Sequence, residues 1–404
     1  MRLSEVFFLL TLAAVPVQLG KFYWTSQSFV LGIPIDYLAV NLYLVDLPLV
    51  AYLVTFTVEN VKNFRKDYRY QKNFILAWFL LILYLTGDAI FFSKAPVLSY
   101  WFLVRFFAVA VFGLYATRSL KNQKLFKASI LIIAVSAIWQ STVVLGQFLL
   151  QRSLGLWILG ERSFDSSTVN IAHFELFGRQ LLRPYGTFPH PNVAAAYLVI
   201  SFIILKSQRS SIKQKTLTVF AVASSFLSTV ITYSKSAAII LALYFVTSTK
   251  KIYFVLGFAV IAVIIWFAIG LLPDAQIATV AERLVLIQAS LDILSKTPLF
   301  GIGSANFIPE LARQNLISVG EIRLLQPVHN VFLLILAENG ILGLIFFALL
   351  LLSVLKKATT PGKTLLFVSL LVFLSFDHFL WTLNQGRLLF WLICAYIISS
   401  PKDN

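Results

Sequence analysis

Residues 181–200 read LLRPYGTFPHPNVAAAYLVI, so that Arg183, His190 and Asn192 crowd the entrance to a long apolar run. A second such mouth occurs at 327–347, PVHNVFLLILAENGILGLIFF, where His329 and Asn330 precede another apolar run. Arg283 lies in VAERLVLIQASLDILSKTP, and Lys235 in TYSKSAAIILAL. These residue types serve proton transfer and anion binding. An imidazole with an unperturbed pKa of about 6.5 is suited to act as a general base. A guanidinium presents a forked donor that matches phosphate or carboxylate oxygens. Each residue also has a plainer reading. His329 and Asn330 can cap a helix, Arg183 can snorkel at an interface, and Arg283 can be a solvated charge on an amphipathic helix. His190 and Asn192 can simply shape a turn and cap a helix. No GxxxxGK[ST] run occurs, and the glycines of LFGIGSANF read as a turn, so nucleotide hydrolysis has no support.

The chain that must position these groups is 59% hydrophobic and only 12% charged over 404 residues. A soluble domain carries about 25% charged residues, so this composition predicts an integral membrane protein. A span needs about 20 mostly apolar residues, and backbone groups in lipid must be satisfied within a helix or a closed barrel. The expected fold is therefore all-α, with about twelve transmembrane helices by that length criterion. About five spans fill residues 1–150, the first being read as an uncleaved helix. A first extracytoplasmic loop covers 151–191, central spans 192–272, a second loop with an amphipathic helix 273–328, and C-terminal spans 329–404. The single cysteine, Cys394, excludes a disulfide within the chain.

The net charge of +16 is an orientation signal. Lysines and arginines cluster in alternate connections: Lys62, Arg65, Lys66, Arg69 and Lys72; Arg118, Lys121, Lys124 and Lys127; Lys206, Arg209, Lys213 and Lys215; Lys356, Lys357 and Lys363. Basic loops face the cytoplasm, which predicts both termini inside, the two long loops outside, and no nucleic-acid partner. All four histidines map to the outer side or its boundary. Asp46, Asp88, Arg105 and Glu338 fall in or near spans, where ionisable groups need partners. Asp377 and His378 lie outside and could line an acceptor side, but two residues make no metal site.

Local spacing adds two expectations. Val280, Leu284, Ile287, Leu291 and Leu294 alternate steps of four and three, predicting an amphipathic helix along the membrane or the bundle, stopped by Pro298. Gly340 and Gly343 follow His329 by eleven and fourteen residues, returning to within about 40° of one helical face. Small residues there would allow a close helix approach that locks the histidine.

The run HNVFLLILAENGILG resembles the signature of the O-antigen ligase and polymerase superfamily, with His329, Asn330, Gly340 and Gly343 at its fixed positions. RPYGTFPHPNVAAAYL is similar to that family's arginine-to-asparagine stretch. TYSKSAAIILAL is similar to a third segment, with Lys235 standing where arginine is usual, and ERLVLIQASLDILSKTPLFGIGSANF to its external-loop run. The resemblance covers about residues 180–350, and the N-terminal half only through topology.

What the resemblance implies is a GT-C-like glycosyltransferase working on the outer face of the cytoplasmic membrane. Such enzymes take a glycan from an undecaprenyl-diphosphate carrier and pass it to an acceptor hydroxyl with inversion, using neither metal nor cofactor. His329 would be the catalytic base; Arg183, Arg283 and Lys235 would bind the donor diphosphate; Asn330, Gly340, Gly343, His190 and Asn192 would support them. The positive end of the helix after Pro191 could also face the anion. The first reading of the acceptor is lipid A–core, as in the ligases. The alternatives are a polymerase that extends carrier-linked glycan, a protein O-oligosaccharyltransferase, and, from another class, a lipid-linked glycan flippase. A flippase should show repeated halves, and none is visible.

Overall fold

The structure, a computed structural model, describes residues 1–61, 71–169, 171–176, 178–208, 215–248, 274–314 and 324–399. Helix α1 (Leu3–Ala14) stops just before Pro16, whose ring and missing N–H end a helix. From Gly20 to Tyr43 the chain runs as short strands and turns, with 3-10 turns at Ser26–Ser28 and Asp36–Leu38. Strand β1 (Gly20–Tyr23) pairs antiparallel with β4 (Val40–Tyr43), enclosing a small hairpin of β2 (Phe29–Val30) and β3 (Ile33–Pro34). Leu31 and Gly32 turn that hairpin at positive φ, the conformation two-residue hairpins favour.

Long helices follow: α2 (Asp46–Asn60), α3 (Lys72–Phe91), α4 (Pro96–Ser119) and α5 (Gln123–Leu150). Proline starts α4, where its lost N–H costs nothing. Asn122 caps α5 by accepting from the Lys124 and Leu125 N–H groups. A hairpin of β5 (His173–Leu176) and β6 (Arg179–Leu182) leads to α6 (Pro191–Ser207), α7 (Lys215–Ile231) and α8 (Lys235–Ser248). After α9 (Asp274–Lys296) and the short α10 (Phe307–Arg313) come α11 (Val331–Leu355), α12 (Pro361–Phe376), the single turn α13 (Phe379–Thr382) and α14 (Asn384–Ser399).

The chain is mostly helical and multi-pass, but the expectation of about twelve spans does not hold. Among the described residues, four helices are long and apolar enough to cross a membrane: α3, α4, α5 and α11. Nor is the fold purely α, since three short antiparallel hairpins interrupt the helices. Part of the overcount is length, since α1, α7 and α8 are apolar but shorter than those four, and two further physical reasons account for others. An apolar stretch need not be one continuous helix: residues 41–43 belong to strand β4, and the apolar run that begins α12 breaks at Asp377 and His378. Moreover, α6 and α14 are apolar because protein surrounds them: nearly every residue of both is buried. A helix hydrophobic all round is a core helix as readily as a lipid-facing one. The expected span near 252–272 lies outside the described residues.

Helix α14 packs on α4, α11 on α3, and α7 against both α5 and α6. The polar groups that looked costly in the sequence find partners. Arg105 Nη1 meets Asp46 Oδ2 at 2.6 Å, and Asn339 Nδ2 donates to Asp88 Oδ2 at 2.8 Å.

Helix α11 is broken at Gly340, which takes φ 65° and ψ −171°. Backbone from the segment after α9 fills the break. Ile341 N–H donates to the Pro298 carbonyl, and the Ile302 and Gly303 N–H groups donate to the Glu338 carbonyl. A Cβ on Gly340 would overlap the Leu299 carbonyl, and one on Gly301 the Glu338 carbonyl. The glycines of the LFGIGSANF run thus dock a loop against a helix break. Helix α9 itself is present and ends before Pro298, but its buried face is Leu286, Ala289, Ser290 and Ile293, while Val280, Leu284 and Leu291 stay exposed.

Candidate active site

His329 does not lie on a helical face. Asn330 is the N-cap of α11, accepting from the Leu333 N–H at 3.0 Å while its own amide donates to the Ser375 carbonyl at 3.0 Å. His329 therefore precedes the helix, and the break at Gly340 ends the register that the spacing assumed. The single stripe of His329, Gly340 and Gly343 is not formed. Gly343 does provide a close approach, to the Tyr84 ring of α3. His329 is instead held by rings: its imidazole meets His378 edge-on at 5.1 Å, and His378 meets Tyr37 edge-on at 5.4 Å.

Arg183, just after β6, donates from Nε to the Thr232 carbonyl at 2.9 Å and from Nη2 to Asn192 Oδ1 at 2.7 Å. The other end of the Asn192 amide donates to Asp377 Oδ2 at 2.9 Å. One asparagine thus ties the arginine after β6 to the carboxylate that ends α12. His190 is the N-cap of α6. Its Nδ1 accepts from the Asn192 N–H at 3.1 Å and its carbonyl from the Val193 and Ala194 N–H groups. The start of α6 is therefore capped by the protein itself, and the expected open cradle of helix N–H groups is not there. His190 and Asn192 are both structural and inside the site.

Lys235 opens α8, two residues after Tyr233 at φ 54°. Arg283 projects from α9, with Nε buried and unpartnered among the described residues. Its charge acts on Arg183, His190, His329, His378 and Lys235. Three cations from separate elements thus share one neighbourhood with three imidazoles and Asp377.

Protonation follows from burial and these neighbours. Burial pulls Arg183 down to about 10, Tyr185 and Asp377 opposing and Arg283 assisting. Burial lowers His190 to about 3, reinforced by Arg183, and lowers His378 to about 3 against the pull of Asp377. His329 is lowered by burial and by Arg283. Burial alone would raise Asp377, but His378, His329, His190 and the Asn192 amide outweigh it and bring the carboxyl to about 2. At neutral pH the arrangement is neutral imidazoles and one carboxylate among cations.

A cavity of about 240 Å³ opens beside these groups. His190, His329, Asp377 and His378 line it, together with Tyr37, Asn41, Tyr43, Trp101 and Arg105. Arg183 acts on His190, Arg283 on His190 and His329, and both arginines on Lys235; none of the three cations lines the cavity. Glu338 does, accepting from the Phe307 N–H at 3.1 Å, so it shares the cavity with His329 although a continuous helix would have parted them. The wall from the N-terminal strands had no signal in the sequence beyond an unpaired-looking Arg105 and Asp46. Asp377 and His378 had one, a charged pair in an apolar run. Among the described residues, no group of three or more His, Cys, Asp or Glu is arranged to hold a metal.

Comparison with protein families finds a match to the family described as O-Antigen ligase over residues 216–348. The match includes Lys235, Arg283, His329, Asn330, Gly340 and Gly343, and leaves out Arg183, His190 and Asn192. No curated protein matches the chain. The chain contains an O-antigen-ligase-type domain over that part of its length.

Proposed function

Proceeding from that domain, we propose that the protein is a membrane glycosyltransferase that moves a glycan from undecaprenyl diphosphate to an acceptor hydroxyl, in the manner of an O-antigen ligase. The observation that carries this reading is the meeting of Arg183, Lys235 and Arg283, the last of which also acts on His329. Three like charges repel one another unless an anion joins them, and a lipid diphosphate is such an anion. Arg183 is fixed through Asn192 and the Thr232 carbonyl, which leaves it preorganised toward phosphate oxygens. Charge on a departing diphosphate is the kind that fixed cations stabilise best.

In this reading His329 takes the proton from the acceptor hydroxyl as its oxygen attacks the anomeric carbon. The bond from that carbon to the diphosphate oxygen breaks on the opposite side, and the electron pair leaves with the lipid diphosphate. The anomeric centre is inverted. His329 is neutral at physiological pH because burial lowers it, so it is ready as a base. Asp377 orients Arg183 through Asn192 and offsets part of the cationic charge. The site belongs on the outer face of the cytoplasmic membrane, with both termini inside, on the strength of the basic connections.

The test uses purified protein in detergent with an undecaprenyl-diphosphate oligosaccharide, EDTA and no nucleotide. Discrete transfer to lipid A–core, lost in His329→Ala, Arg183→Ala and Arg283→Ala, is the expected result. A ladder of lengthened carrier-linked glycan would make the enzyme a polymerase with the same chemistry. No transfer to any acceptor, with the lipid still bound by all variants, would refute the enzymatic reading.

A further inference from the structure

The cavity carries more polar groups than the residues around it satisfy. Arg105 Nη2, Trp381 Nε1, both ends of the Asn384 amide, Gln18 Oε1 and His329 Nδ1 are buried without a partner among the described residues. All five residues line this one cavity. A buried polar atom without a partner costs free energy, and native proteins leave few of them. Here they cluster, and they mix donors with acceptors. Their walls are aromatic: Arg105 lies 5.9 Å from both the Tyr43 and Trp101 ring centres, one helical turn beyond Trp101 on α4.

The two arginines nearest these orphaned atoms are already engaged. Arg105 is paired with Asp46, and Arg387 spends Nε and Nη2 on the Trp381 and Thr382 carbonyls. What remains is a small cavity with flat rings and hydrogen-bonding groups of both kinds, in which acidic Asp36, Glu338 and Asp377 stand against basic Arg105, Arg162 and Arg387. At about 240 Å³ it falls below the roughly 300–1,000 Å³ of pockets for drug-sized ligands. Those features suit one uncharged sugar ring, whose hydroxyls both donate and accept and whose C–H face stacks on an aromatic side chain. They do not suit a diphosphate.

We propose that this cavity is a subsite for a single neutral sugar of the acceptor, held by Trp101, Arg105, Trp381 and Asn384 so that its hydroxyl meets His329. The N-terminal strands and α4 then read the acceptor, while Arg183, Lys235 and Arg283 hold the donor on the adjoining side. The assignment of acceptor rather than donor rests on the glycan-transfer reading; the sugar site itself does not.

The experiment is saturation-transfer NMR on the purified full chain with methyl glycosides of glucose, galactose and N-acetylglucosamine, with glucuronate as the charged control. Binding of a neutral glycoside, weakened about ten-fold in Asn384→Ala as expected for one lost buried hydrogen bond, and weakened in Trp101→Ala but retained in Trp101→Phe, is the expected result. Absence of binding by wild type, or binding that ignores both Asn384→Ala and Trp101→Ala, overturns the subsite whether or not transfer is observed. Where transfer is observed, the same variants should raise the acceptor KM and leave the donor KM unchanged. A raised donor KM instead overturns the acceptor assignment while the glycan-transfer reading stands.

Discussion

Gly340 is the position where one methyl group should do the most damage. Its φ of 65° with ψ of −171° falls in a region open to essentially no residue but glycine, at a cost of about 1–3 kcal/mol for others. A Cβ there also overlaps the Leu299 carbonyl, which is backbone and cannot swing aside. Overpacking of this kind adds about 1–3 kcal/mol, so Gly340→Ala should lose about 2–6 kcal/mol in total. Gly155 is the control: it too has positive φ, at 82°, but an added Cβ meets nothing within 4 Å, so alanine there should cost only about 1–2 kcal/mol of backbone strain. The damage at Gly340 should reach the site. The Pro298–Gly303 segment that docks on the break follows α9 directly, so displacing it moves Arg283 relative to His329, and a misplacement of about 1 Å can cost about 100-fold in rate. Thermal unfolding in detergent and transfer rate at a temperature below the transition measure the two effects. If Gly340→Ala melts no lower than Gly155→Ala, the docking of loop on break is not what holds this end of α11, and the argument fails.

Further outcomes follow from the site. Because burial lowers His329 below its ordinary value, kcat/KM should be level from pH 7 down past about 6.5 and fall only at more acid pH; an acid limb centred at or above 7 would count against His329 as the base. His190 and His378, at about 3 when folded and about 6.5 when unfolded, bind more protons in the unfolded chain between those values. Stability should therefore be full above about 6.5 and decline as the pH falls toward 3, which melting temperatures across that range will show. Arg183→Lys should raise the donor KM nearly as much as Arg183→Ala, since an ammonium cannot make the Nε and Nη2 contacts of 2.9 Å and 2.7 Å together; full activity in the lysine variant would refute the fork. Asp46→Asn should cost about 3–5 kcal/mol by leaving Arg105 a buried, unpaired charge, while the double change to leucine at Asp46 and Arg105 should melt higher than Asp46→Asn.

Composition and spacing by themselves determined that this is a membrane chain and where its polar segments lie. An excess of apolar residues with few charges can only be a membrane chain, and the motifs at 183–192, 283 and 329–343 were visible because each carries polar groups into apolar surroundings. Burial of Arg183, His190 and His329, and the partners of Asp46 and Asp88, follow from the cost of such groups in a medium without water. Helix count, register and membership of the site were decided by tertiary structure. Hydropathy records that a segment avoids water and is silent on whether lipid or protein surrounds it, which is why α6 and α14 looked like spans. The stripe of His329 and the two glycines failed because the helix breaks at Gly340, where the Glu338 carbonyl and the Ile341 N–H bond to a loop about forty residues earlier in the chain, and no periodicity within α11 encodes that exchange. The wall of Tyr37, Tyr43, Trp101 and Arg105 was invisible for the same reason. Apart from Arg105, whose charge in an apolar run called for a partner, each of those residues is ordinary in its own segment, and only the tertiary fold gathers them around a cavity.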